Sequence, residues 1–86
     1  SRTIVLGTVG AAATTTVIPT SSLDPAAAIL GQFNGRVVIF DETTATVTLR
    51  GCAATIESSA ADGTLTLLAA EVLPAAPASG DTFVIV

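Results

Sequence analysis

The stretch Gly31–Gly51, GQFNGRVVIFDETTATVTLRG, carries the strongest β signal in the chain, and the reading of its neighbours follows from it. Asn34-Gly35 is suited to the positive φ values of a tight turn, and Arg36 to Phe40 then runs apolar on both faces. Asp41 and Glu42 fit the next turn. From Thr44 the pattern becomes strict alternation, with Ala45, Val47 and Leu49 on one face and Thr44, Thr46, Thr48 and Arg50 on the other. That pattern predicts a strand with one wet face.

Moving toward the C-terminus, Gly51 and Cys52 interrupt the run as a bulge or corner, and AATIESS resumes it with Ala54, Ile56 and Ser58 on one face. Asp62-Gly63 predicts a type I′ hairpin turn into TLTLLAAEV. The likeness of TVTL at Thr46 to TLTL at Thr64 reflects two strands under one half-buried constraint, since a single recurrence sets no repeat period. Pro74 and Pro77 mark a loop, and Gly80-Asp81 leads into Phe83, Val84, Ile85 and Val86, apolar on both faces. On the N-terminal side, Thr3–Val9 and Thr14–Ile18 read as strands, the second ended by Pro19. Asp24 as N-cap, Pro25 as first helical residue and Gly31 as terminator predict one short helical turn near residues 25–30. The expected fold is all-β, a single domain over 1–86. It is a small barrel or sandwich of five to seven short antiparallel strands, with residues 1–20 as either its first strands or an N-terminal arm.

A chain of 86 residues with 50% hydrophobic content and one cysteine has few means of bracing a small core. Cys52 has no intrachain disulfide partner and reads as a small buried hydrophobe; with no histidine, a Cys/His zinc site is excluded. Association with other subunits is the remaining brace. Net charge is −4, from seven acids against Arg2, Arg36 and Arg50. Without lysine, tyrosine or tryptophan the chain lacks the usual phosphate-binding patch and stacking platform, so nucleic acid and anionic membrane are not expected partners. No apolar stretch approaches the ~20 residues of a membrane-spanning helix, and no charged n-region precedes an h-region, so a chain translated in this form is expected to stay where it is made until assembly takes it elsewhere.

Catalytic chemistry finds no residues to carry it. The Ser-His, Cys-His and Ser-Lys arrangements fail without histidine or lysine, as does a phosphate-binding loop that needs lysine. Asp24, Asp41, Asp62 and Asp81 all fall at expected caps or turns, Glu42 shares its turn with Asp41, and Glu57 and Glu71 read as solvent-facing. Arg50 is placed to pair with Glu57 or Asp41 at the surface. No catalytic residue, cofactor or metal is expected. Phe33, Phe40 and Phe83 fill the core or anchor an interface. Candidate interface residues are Phe33, Val38, Phe40, Val84 and Val86, the aromatics and one side of the doubly apolar strands.

From Gln32 onward, QFNGRVVIF, TIESSAADGTLTLLAAEVLPAAPASGDTFVIV and the turns between them resemble a module of tailed-bacteriophage virion proteins, over somewhat more than half of the chain. APASGDTFVI is the most specific part. The resemblance implies a non-enzymatic β building block. The expected role is a capsid decoration or cement protein on the outer shell, a homo-oligomer with the trimer as its expected form, clamping major capsid subunits. A tail fibre, spike or baseplate module is the alternative, and a carbohydrate-binding adhesin module a more distant one. Many such modules continue into further domains, so a chain ending here is expected to be a stand-alone small subunit.

Overall fold

The computed structural model describes residues 3–86; Ser1 and Arg2, which open the 1–20 segment, lie outside the described residues. Seven strands form one curled antiparallel sheet: β1 (Val5–Val9), β2 (Val17–Ile18), β3 (Thr20–Asp24), β4 (Val37–Phe40), β5 (Ala53–Ser59), β6 (Leu65–Leu67) and β7 (Thr82–Ile85). Their order is β2-β6-β5-β4-β7-β1-β3. The all-β fold is as the sequence reads. The two outermost strands, β2 and β3, are separated only by Pro19, so one bent segment supplies both ends of the sheet and the sheet must curl to let it. Thr20 Oγ1 donates to Gly63 O across the remaining gap at 3.0 Å.

The inner face is the core. Val5, Gly7 and Val9 of β1 point inward while Leu6 points out, and Val38 and Phe40, Ala54 and Ile56, Leu65 and Leu67, Phe83 and Ile85 do the same on their strands. Gly7, Phe83 and Phe40 are register partners on three adjacent strands. The Phe40 and Phe83 rings pack tilted with centroids 5.8 Å apart. A Cβ on Gly7 would overlap the Phe83 ring, so the missing side chain in β1 is what admits that ring.

Four expectations are corrected. Residues 25–30 form no helical turn. Thr20–Asp24 pairs with β1 as β3, so Asp24 is a strand residue and not an N-cap. Beyond it, Gln32 Oε1 accepts the amides of Ala28 at 2.6 Å and Ile29 at 3.3 Å, taking the place that helical carbonyls would fill. Second, Thr44–Arg50 is not a strand: it is a turn followed by one 3₁₀ turn, Val47–Leu49, with Thr44 and Leu49 buried and Val47 exposed. The Asp81 carboxylate takes the amides of Ala45 and Thr46, so a sheet ladder cannot use them. Third, the turn at Asp62-Gly63 is not type I′, because only Gly63 has positive φ (96°). Gly63 N donates to Ala60 O and Ala60 N to Thr64 O, closing a three-residue loop with glycine in the left-handed position. Fourth, the register shifts between Ile56 and Ser58, which turns Ser58 outward and buries Ser59. Ser59 Oγ then accepts Phe33 N at 3.0 Å and donates to Asn34 Oδ1 at 3.2 Å.

Candidate functional site: the outer sheet face and its groove

The outer face of β1, β7 and β4 is apolar where a solvated sheet would be polar. Leu6 is opposite Val84, and Val84 opposite Ile39, so three apolar side chains run side by side across three strands. In the next row Val86 and Val37 exchange backbone hydrogen bonds at 2.9 and 3.2 Å, and Ile4 stands two residues before Leu6. Ile4 and Leu6 are each 58% exposed and Val86 39%, while Val37, Ile39 and Val84 are half-buried. Alternation within each strand produces this face: every second residue fills the core, and those between are apolar at Leu6, Val37, Ile39 and Val84, with Thr8 and Thr82 the polar exceptions.

A groove of about 300 Å³ adjoins the face at Leu6, and its lining includes Thr8, Ser22, Asp24, Asp41, Thr43 and Thr82. Asp41 Oδ1 accepts Thr43 N at 3.0 Å and the hydroxyls of Thr43 and Thr82 at 2.7 Å each. Burial pushes the Asp41 carboxyl up, but the hydroxyls of Thr82 and Thr43 and the amides of Thr43 and Thr44 outweigh it and hold the group below its ordinary value. The Asp24 side chain is exposed and has no hydrogen-bond partner among the described residues.

Behind the groove, Asp81 is 1% exposed and ties two loops together. Its Oδ1 accepts Ala45 N at 3.0 Å and Thr46 N at 3.2 Å, while Oδ2 accepts Thr46 Oγ1 at 2.6 Å and Ala78 N at 2.8 Å. Burial again raises this carboxyl, and the Thr46 hydroxyl with the amides of Ala78, Thr46 and Ala45 lowers it further than burial raises it. Thr44 Oγ1 donates to Thr82 O on the same seam.

Of the candidate interface residues, Phe33, Val38 and Phe40 lie in the chain's own core at no more than 1% exposure and are withdrawn as contact residues. Each faces inward, on β4 or the turn before it, where the curled sheet already covers it. Val84 and Val86 do reach the outer face. Sequence reasoning missed Ile4 and Leu6, although TIVLGTV carries apolar residues at both parities, the same signal that singled out VVIF and FVIV. Arg50 donates through Nε to Thr44 O at 2.8 Å in place of an acid partner. Glu71 is exposed, as expected, and its Oε1 accepts Thr55 N and Oγ1 of β5. Cys52 is half-buried, with Sγ 3.4 Å from Thr48 O. Among the described residues no three acidic or thiol side chains are grouped to hold a metal ion, and no helix is long and apolar enough to cross a membrane.

No protein-family model, curated protein or solved structure matches the chain.

Proposed function

We propose that the protein is a non-enzymatic structural subunit that works by docking the outer face of β1, β7 and β4 onto other subunits. The observation that carries this reading is the row Leu6–Val84–Ile39 with Ile4 and Val86 beside it, an apolar surface displayed by a small sheet whose core is already complete without it. Covering that surface is worth about 25 cal/mol per Å² removed from water, gained only in an assembly. Repetition by symmetry multiplies a weak single contact into a firm one. The carboxylates of Asp41, Asp62, Asp81 and Glu71 support a structural reading too, since each is engaged by amides or hydroxyls of its own chain.

The setting proposed is the virion of a tailed bacteriophage, as a decoration or cement protein on the outer shell, and it rests on the resemblance of the segment from Gln32 onward. Major capsid subunits are the proposed partners of this face, and sister subunits, in a homotrimer, the proposed partners of the remaining surface. Particles stripped of the protein and rebuilt with wild type or Leu6→Lys test the reading. Wild type is expected to rebind in hundreds of copies and to delay heat rupture of the shell, and Leu6→Lys to do neither. Rebinding of Leu6→Lys at wild-type occupancy would refute the docking face. A wild-type count of a few dozen copies would move the protein to the tail.

A further inference from the structure

Resting on the docking reading above, we infer that the occupant of the outer face is an extended segment of a different protein, with apolar side chains in alternation and a lysine or arginine beside them. The apolar side chains lie over Leu6, Val84 and Ile39, and the cation enters the adjoining groove beside Asp24 and Asp41.

Three observations select this occupant over a second copy of the chain. The apolar part of the face is six side chains, three of them half-buried, which falls short of the roughly 800 Å² per partner of a standard interface, so the contact extends onto polar surroundings. The polar surroundings that adjoin it are the groove, whose two carboxylates meet no cation among the described residues. Covering them with anything but a positive group would desolvate negative charge without compensation. Among its described residues a second copy has no uncommitted cation to supply that group. The chain has no lysine, and both described arginines are held by carbonyls of their own chain: Arg36 by Thr3 O and Ile85 O, Arg50 by Thr44 O. The chain's net charge of −4 also draws a basic partner toward the groove.

The groove's remaining lining fits an ammonium or guanidinium group. Asp41 Oδ1 is occupied by Thr43 and Thr82, while Oδ2 receives no hydrogen bond among the described residues. Thr8 and Ser22 line the same space, and each carries a hydroxyl able to accept a hydrogen bond.

The test is an NMR titration of the isotopically labelled whole chain with two short blocked peptides, one alternating valine with lysine and its twin alternating valine with glutamate. The lysine peptide is expected to shift the amides of Leu6, Thr8, Thr82 and Val84 and to bind about tenfold more tightly than the glutamate twin at low salt, with the margin shrinking as salt rises. Asp24→Asn, at an exposed side chain with no partner among the described residues, is expected to weaken lysine-peptide binding about threefold or more with the circular dichroism spectrum unchanged. Equal response to both peptides, or no response to either, overturns the inference. So does dilution-dependent self-association that Leu6→Ser abolishes, because the occupant is then a second copy. Each of these results leaves the particle-rebinding experiment free to succeed, so failure of the inference is distinct from failure of the docking reading.

Discussion

Replacing Asp81 by alanine removes the carboxylate that ties Ala45 and Thr46 of the 41–51 loop to the 78–82 turn. Four hydrogen bonds end on its carboxylate, three from backbone amides that cannot be relocated without moving the loop. A buried donor left without a partner costs about 1–3 kcal/mol. Ala45 and Ala78 lie at the surface and Thr46 is half-buried, so their amides can regain water once the loop loosens, and the low end of that range applies to each. The sum is about 3 kcal/mol, where non-additivity and loop release limit it. In a domain of this size that lowers Tm by about 12–24 °C. With no tryptophan or tyrosine to report by fluorescence, the assay is urea unfolding followed by far-ultraviolet circular dichroism. Thr46→Val, which deletes only the hydroxyl bond, is expected to lose about 1 kcal/mol. If Asp81→Ala loses less than about 1 kcal/mol, or no more than Thr46→Val, the carboxylate is not the organiser of this seam and the account of why residues 44–50 leave the sheet fails.

Acid is expected to reach the same seam. Asp41 and Asp81 are both held below their ordinary value of 3.8 in the fold, so their stabilisation is full above that pH and is lost as pH falls below it through the folded values. Stability measured at pH 6 and at pH 3 should therefore fall in wild type and fall less in Asp81→Ala; equal slopes would contradict it. Gly7→Ala is expected to cost about 2 kcal/mol or more by driving a methyl group into the Phe83 ring, with Phe83→Leu in the same chain recovering part of the loss in a double-mutant cycle. Ala12 sits at φ 65°, so Ala12→Gly is expected to stabilise by about 0.5–1 kcal/mol, read as a higher urea midpoint at unchanged slope. Leu6→Lys should leave the unfolding midpoint within about 0.5 kcal/mol of wild type, because that side chain contributes to the outer face and not to the core.

The β4, β5, β6 and β7 segments were legible because backbone alternation and flanking turn residues report them locally. Ala53–Ser59 matches the AATIESS segment residue for residue. What stayed hidden is set by partners distant in sequence. Thr44–Arg50 has the composition of a strand, and a single carboxylate about thirty-five positions away diverts it. SSLDPAAAILG carries genuine helix-start chemistry, yet its first residues are worth more to β1 than a helix of two turns is worth alone. Local pattern cannot weigh such competitors. The docking face lies between these cases: doubly apolar strands announce that a second face needs a cover, but only the register, Leu6 beside Val84 beside Ile39, shows that three strands contribute to one continuous patch. The aromatic residues misled for the opposite reason. Phe33 and Phe40 look like anchors in composition, and parity alone does not say which side of a curled sheet is enclosed.

The bend at Pro19 bears on how copies of this chain can polymerise. Sheet proteins rich in valine and threonine tend to add strand to strand along an unpaired edge, which leads to fibrils. Here one edge strand is two residues long, the other is five, and the residue between them has no amide hydrogen to donate. Thr20 spends its hydroxyl on Gly63 O across the opening. A ladder growing along this edge therefore meets a strand of only two residues on one side and no donor at the bend. Contacts are left to side chains on the flat of the sheet, where shape and charge can choose the neighbour and growth stops when the patch is covered.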